Sequence, residues 1–114
     1  MWIFAKDGFL SVVQDKSHYD LLLVRGRVQG DVQKFFPTAK VYRSEMRDYR
    51  HRAVVPRESV AARLAQAVMA IDYGGGGDAI SFKDSITDKR RAHFYFDVCN
   101  TCWEMQQALK GGNR

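Results

Sequence analysis

The chain has 114 residues, a formal net charge of +5 and a hydrophobic fraction of 46%. This composition excludes intrinsic disorder and predicts one domain, residues 1–114, with a core of its own. The positive balance favours an anionic partner such as nucleic acid, a nucleoprotein or an acidic protein surface. The opening residues do not resemble a signal peptide, and no run of about 20 apolar residues could span a membrane, so we expect a cytoplasmic protein with no membrane contact.

The first third of the chain predicts three strands and a short helix. Residues 2–5 and 9–14 are apolar runs on either side of an Asp-Gly turn, which is typical of a β-hairpin. Residues 19–28 include four successive apolar residues, as in a strand that is covered on both faces. Residues 29–36 carry apolar side chains at helical spacing and precede Pro37, so we expect a helix that ends there.

The rest of the chain predicts two strands, a helix, a loop and a last helix. The strands are 39–43 and 48–55, the loop is 74–88 with a flexible glycine-rich part at 74–81, and the helices are 56–71 and 89–109. The order β-β-β-α-β-β-α-α with short connections predicts an α+β fold. We expect a mainly antiparallel sheet of four to five strands against two to three helices, a two-layer sandwich that is ferredoxin-like in general character.

Two cysteines, Cys99 and Cys102, form a CxxC motif. A redox CxxC begins a helix, where the helix N-terminus lowers the thiol pKa, and a zinc site needs about four ligands. This motif falls inside the last predicted helix and has no second pair of ligands. We therefore interpret both cysteines as small, partly buried helix residues, and we expect no metal and no cofactor. A CxxC redox protein stays the third functional hypothesis.

No catalytic constellation can be assembled from the remaining residues. The histidines at positions 18, 51 and 93 are scattered, and no Ser-His-Asp or Cys-His spacing is present. The run Gly74–Gly77 lacks the Gly-Lys-Ser/Thr of a phosphate-binding loop. The sequence therefore predicts a protein that is not an enzyme.

Arginines and tyrosines give the strongest functional indication. They gather around the second predicted hairpin, where the candidate partner-binding residues are Tyr42, Arg43, Arg47, Tyr49, Arg50 and Arg52. A secondary basic patch comprises Arg25, Arg27, Lys89, Arg90 and Arg91. Guanidinium groups bind phosphates and carboxylates in forked pairs, and tyrosines stack on bases or anchor protein interfaces. A solvated strand face balanced by Glu45, Asp48 and Glu58 explains the same residues equally well.

The opening Met-Trp-Ile-Phe-Ala-Lys-Asp-Gly-Phe-Leu-Ser-Val-Val and the pairing of Ile71-Asp72-Tyr73 with Ser81-Phe82-Lys83-Asp84-Ser85 resemble a small, uncharacterised bacterial and phage family. The resemblance spans most of the chain, including residues 21–27 and 49–56. In that family the Ile-Asp-Tyr motif runs almost directly into Asn-Phe-Lys-Asp. Residues 74–80 therefore look like an insertion here, and Ser81 replaces the usual asparagine.

The resemblance implies one domain and no particular activity. Small phage and mobile-element proteins of this kind include anti-CRISPR inhibitors, so we expect a non-enzymatic interaction protein that binds and blocks a host CRISPR–Cas nucleoprotein complex. Direct nucleic-acid binding through the arginine- and tyrosine-rich sheet face is the alternative. We expect a host protein or nucleoprotein as the partner, and a monomer or a weak homodimer.

Overall fold

The computed structural model describes residues 1–73 and 81–112. The chain forms two compact units, Met1–Asp72 and Tyr73–Arg114. The glycine-rich loop expected at 74–81 lies outside the described residues except for Ser81.

The first unit contains one antiparallel sheet and two helices. Its elements in chain order are β1 (Trp2–Ala5), β2 (Gly8–Gln14), β3 (Leu21–Gly26), α1 (Asp31–Phe35), β4 (Tyr42–Arg43), β5 (His51–Pro56) and α2 (Arg57–Met69). The strands pair in the order β1-β2-β3-β5-β4, and every pair is antiparallel. The predicted α+β fold with a mainly antiparallel sheet is therefore confirmed.

One face of the sheet forms the hydrophobic core with α1 and α2. Side chains alternate between the two faces of a strand, so every second residue of β2, β3 and β5 points to this core. The buried core residues are Leu10, Val12, Val24, Val32, Phe35, Phe36, Ala53, Val55 and Val60. Because Val12 pairs with Val24 and Val24 pairs with Ala53, the register aligns the apolar positions of three strands. The opposite face of the sheet does not contribute to this core.

The first helix is held to the sheet by a buried carboxylate. Asp31 is 1% exposed, and its Oδ2 accepts a hydrogen bond from the Phe9 N–H at 3.0 Å. The helix starts later than the predicted residue 29 because Gly30 has a φ of 94°, which lies in the left-handed region that favours glycine. Arg63 on α2 donates from Nε to the Phe35 carbonyl at 2.7 Å and thereby closes the end of α1.

The second unit contains α3 (Phe82–Ser85) and α4 (Lys89–Gly112). The sequence predicted a loop over the residues of α3, and this expectation is wrong there because Ser81 caps the turn by accepting a hydrogen bond from the Asp84 N–H at 3.1 Å. The rings of Phe82 and Tyr95 are parallel, 6.2 Å apart, and connect α3 to α4.

Several predicted boundaries are corrected by turns that the sequence pattern does not show. The third strand is 21–26 and not 19–28, and the strands of the second hairpin are 42–43 and 51–56. The Ser44 N–H donates to the Arg50 carbonyl at 2.8 Å, which closes the loop between these strands and keeps residues 44–50 out of the sheet.

Candidate binding surface

A row of polar side chains crosses the sheet face that lies opposite the hydrophobic core. Ser11 on β2 pairs with Arg25 on β3, and Arg25 pairs with Arg52 on β5. Arg52 pairs in turn with Tyr42 on β4. Directly paired residues of neighbouring strands point to the same face, so these side chains form one line across four strands.

Arg25 is fixed by a hydroxyl and by an aromatic ring. Its Nη2 donates to the Ser11 Oγ at 2.7 Å, and its Cζ lies 4.4 Å from the centroid of the Tyr49 ring. Its Nε is buried and has no hydrogen-bond partner among the described residues. The positive charge of Arg25 is therefore held by a neutral acceptor and by the electron-rich face of a ring.

Arg27 and Arg52 are fixed by backbone carbonyls near the same ring. The Cζ of Arg27 lies 4.1 Å from the Tyr49 centroid, and its Nη1 donates to the Asp48 carbonyl at 3.2 Å. The Nη1 of Arg52 donates to the Tyr49 carbonyl at 3.1 Å. We name Arg25, Arg27 and Arg52 the arginine cluster.

Tyr49 is the buried centre of the arginine cluster. Its side chain is 4% exposed, and its ring lies 6.4 Å from that of Phe9, which stacks on Phe4 at 4.4 Å. A ring this buried offers little surface of its own to a partner. Its role is to position the guanidinium groups of Arg25 and Arg27.

The arginine cluster keeps its charge unneutralised within the described part of the chain. No described carboxylate lies within ion-pair distance of its three guanidinium groups. Arg25 and Arg52 also face each other directly across β3 and β5, an arrangement of like charges that destabilises a sheet. The surface therefore has a preorganised positive charge that an anionic partner would neutralise.

The sequence-predicted contact residues divide into two groups. Tyr49 and Arg52 belong to the surface just described, and Tyr42, which is 49% exposed, flanks it. Arg43 and Arg50 instead share the carboxylate of Glu45: Arg43 is ion-paired to it, and the Arg50 Nε lies 3.9 Å from it. Arg47 is exposed in the same loop.

The secondary patch also divides between two parts of the chain. Arg25 and Arg27 lie in the arginine cluster, whereas Lys89, Arg90 and Arg91 form the first turn of α4 in the second unit. The Arg90 Nε lies 3.8 Å from Asp88, and the Arg91 Nη1 donates to the Tyr95 hydroxyl at 3.1 Å.

An open groove of about 190 Å³ lies beside β4. Residues of α1 and of the segment that precedes it line one part of the groove, and β4 and β5 contribute Tyr42, Arg43 and His51. The Arg43 guanidinium is already paired with Glu45, and none of the ion pairs among the described residues involves His51.

The cysteine motif lies inside α4, as the sequence predicts. Cys99 and Cys102 are free thiols and both are exposed, which corrects the expectation that they are partly buried. Among the described residues, 1–73 and 81–112, no group of three or more histidine, cysteine, aspartate or glutamate side chains could hold a metal ion.

Ser11 and Phe9 support the arginine cluster from β2, but the sequence did not predict them as site residues. Both lie in an apolar strand, and only the register of β2 against β3 shows that Ser11 is opposite Arg25. Ser11 lies between Leu10 and Val12, whose apolar side chains predict the core face, so the alternation indicates the face of Ser11 but not its partner.

No family model matches the chain, and neither the curated proteins nor the solved structures contain a match. The family resemblance noted in the sequence therefore stays a prediction. None of the described helices combines the length and the apolar character needed to cross a membrane.

Proposed function

We propose that this chain is a non-enzymatic interaction protein that docks its arginine cluster on an acidic surface of a host protein or nucleoprotein complex. One observation carries this proposal: like-charged guanidinium groups face each other on the sheet and bond only to neutral acceptors in the described chain. This arrangement destabilises the free protein, and an anionic partner offsets that destabilisation when it binds.

The composition of the surface favours a protein partner over bare nucleic acid. Arginine and tyrosine are enriched among the residues that dominate protein–protein affinity. Nucleic-acid backbones are bound along extended basic grooves, whereas the neighbouring Arg43 and Arg50 are already paired with Glu45. The arginine cluster is therefore a compact positive patch, and it contains about as many residues as dominate the affinity of a protein interface.

The finer proposal concerns the partner and the biological effect. The resemblance to small phage and mobile-element proteins makes a CRISPR–Cas complex the first partner to test, with inhibition as the outcome of binding. Since the chain carries a net charge of +5, it would act on an acidic patch or on the guide RNA and not by imitating DNA.

A matched pair of double variants tests the surface. Arg27→Gln with Arg52→Gln removes two charges from the arginine cluster, whereas Arg43→Gln with Arg50→Gln removes two charges that Glu45 already pairs. Partners would be captured from host lysate with and without nuclease, and affinity for the purified partner or Cas complex would be measured by calorimetry. We expect the first variant to lose at least about 30-fold in affinity and the second to lose much less.

Two results would contradict the proposal. Equal losses in both variants would show that only net charge matters. Retention of full affinity by the cluster variant would show that the partner binds elsewhere on the chain.

Direct binding to single-stranded nucleic acid is the second candidate, and the exposed aromatics beside the cluster favour it. Trp2 is 64% exposed and Tyr42 is 49% exposed, so both rings could stack on bases. Three phosphate contacts predict that affinity for a labelled RNA falls about 20-fold between 50 and 200 mM salt. Absence of binding to such an RNA at low salt would eliminate this candidate.

A further inference from the structure

The arginine cluster places three positive charges around one residue, Tyr49. The Cζ atoms of Arg25 and Arg27 lie 4.4 Å and 4.1 Å from the centroid of its ring. The Nη1 of Arg52 donates to its backbone carbonyl at 3.1 Å, and Arg52 pairs directly with Arg25 across β3 and β5. All of these contacts lie within the first unit, so the three guanidinium groups form one site whose geometry this unit alone defines.

Most of the hydrogen-bond donors of the arginine cluster are unused in the described chain. An arginine side chain has five N–H donors. Each guanidinium of the cluster makes one described hydrogen bond, to the Ser11 hydroxyl, the Asp48 carbonyl or the Tyr49 carbonyl. These acceptors are neutral, and the buried Nε of Arg25 has no acceptor among the described residues. Since an unsatisfied buried N–H destabilises a protein, an anion toward which Arg25 can turn removes part of this destabilisation.

The charge of the arginine cluster matches a phosphate monoester better than a carboxylate. A carboxylate carries one negative charge on two oxygens, so it neutralises only one of the three guanidinium groups. A phosphorylated side chain carries a charge of about −1.5 to −2 at neutral pH and has three strong acceptor oxygens. Guanidinium groups bind such oxygens in forked pairs, and arginine clusters are a recurring means of recognising phosphorylated side chains.

The phosphodiesters of a nucleic-acid backbone fit the arginine cluster less well than a monoester. Each backbone phosphate carries one charge, and proteins bind such backbones along extended basic grooves. Arg43 and Arg50 do not extend the cluster, because Glu45 already pairs with both of them. A single compact patch of three charges therefore favours one dianionic group on a partner protein over a row of monoanionic groups.

We infer that the arginine cluster is a binding site for a phosphorylated side chain of a partner protein. This inference rests on the proposed function, because it names the anionic group through which the partner is recognised. Arg25 on β3 and Arg52 on β5 contribute donors from neighbouring strands, and Arg27 contributes donors from the residue that directly follows β3.

Calorimetry with three short synthetic peptides tests the inference on the full chain. The peptides share one sequence and differ at a central position, which is phosphoserine, glutamate or serine. We expect the phosphoserine peptide to bind at least about tenfold more tightly than the glutamate peptide, because it carries more charge and a third acceptor oxygen. Arg27→Gln with Arg52→Gln should abolish this preference, whereas Arg43→Gln with Arg50→Gln, which removes the same total charge, should keep it.

A second measurement uses the wild-type chain, so it does not depend on how the variants fold. Backbone amide resonances would be followed while the phosphoserine peptide is added. We expect the amides of Arg25, Arg27, Tyr49 and Arg52 to shift, and the amides of α4 to stay in place. Shifts confined to the basic first turn of α4 would place the phosphate there and would overturn the inference.

The calorimetry has further outcomes that would overturn the inference. Equal affinities for the phosphoserine and glutamate peptides, both lost in the cluster variant, would show that the site accepts any carboxylate, and the proposed function would still stand. Absence of binding by the phosphoserine peptide at about 1 mM would show that the cluster is not a phosphate site. Tighter binding of an oligonucleotide with a 5′-phosphate would assign the site to nucleic-acid ends. The proposed function fails separately, when a captured partner binds the cluster variant with full affinity.

Discussion

At the scale of single residues, arginine side chains in the first unit serve as packing groups as well as charges. The Cζ of Arg57 lies 4.1 Å from the Tyr19 ring centroid, and the Cζ of Arg63 lies 4.2 Å from that of Phe35. Each of these guanidinium groups also donates to a backbone carbonyl. The arginine cluster repeats this pattern around Tyr49, with the difference that two guanidinium groups share one ring.

Tyr49 provides the prediction at this scale. Tyr49→Ala removes a ring that is 4% exposed and leaves a cavity beside Phe9, so we expect the free energy of unfolding to fall by about 3 kcal/mol. Tyr49→Phe keeps the ring and should stay close to the wild type. Urea titration followed by circular dichroism measures both variants. An alanine variant as stable as the phenylalanine variant would show that the ring is not part of the packing.

At the scale of elements, the start of α4 depends on one exposed carboxylate. Asp88 Oδ1 accepts hydrogen bonds from the Arg90 N–H at 3.0 Å and from the Arg91 N–H at 3.3 Å. The hydrogen bond from the Arg91 N–H contributes most to holding the pKa of Asp88 below its ordinary value. The bond from the Arg90 N–H and the positive charges of Arg90 and Arg91 lower the pKa further. The charged carboxylate therefore stabilises the first turn.

A pH titration of helicity tests the role of Asp88. Because the pKa is lowered in the folded chain, the stabilisation is present above the ordinary carboxyl range and is lost as the pH falls through the lowered pKa. Asp88→Asn keeps an acceptor but not the charge, so the wild type should be more helical at neutral pH and the two curves should converge in acid. Curves that stay parallel at all pH values would contradict this role.

At the scale of the whole molecule, the two faces of the sheet in the first unit differ in how deeply their aliphatic side chains are buried. Leu10 is fully buried between the sheet and the helices, whereas Val54 on the opposite face is 44% exposed. Leu10→Ala should lower the free energy of unfolding by about 3 kcal/mol, and Val54→Ala should lower it by less than about 1 kcal/mol. Thermal unfolding of both variants gives the comparison. Similar losses would mean that the two faces are equally packed.

More of the fold than of the candidate site could be predicted from the sequence. The Asp-Gly turn and the apolar run at Leu21–Val24 were enough to predict the first three strands, and the proline at position 56 was enough to predict the start of α2. The short helix α3 could not be predicted, because its four residues have no apolar periodicity and depend on the Ser81 cap. Local side-chain hydrogen bonds of this kind compete with loop conformations and leave only a weak sequence pattern.

The candidate site was predictable in composition but not in arrangement. Adjacent positions in sequence suggested that Arg43, Arg50 and Arg52 act together, yet Glu45 holds the first two apart from the third. The partner of Arg52 is Arg25, which lies 27 residues earlier in the chain and is joined to it only by the pairing of β3 with β5. Long-range strand register carries this information, and a single sequence does not.

The contact of two guanidinium groups with the Tyr49 ring has a consequence for spectroscopy. The ring current of Tyr49 should displace the Hε resonances of Arg25 and Arg27 away from those of the solvated arginines. An anion that draws either guanidinium off the ring would return its signal toward the common position. The fold thus supplies an intrinsic nuclear magnetic resonance reporter for occupancy of the cluster, and it needs no added label other than nitrogen-15.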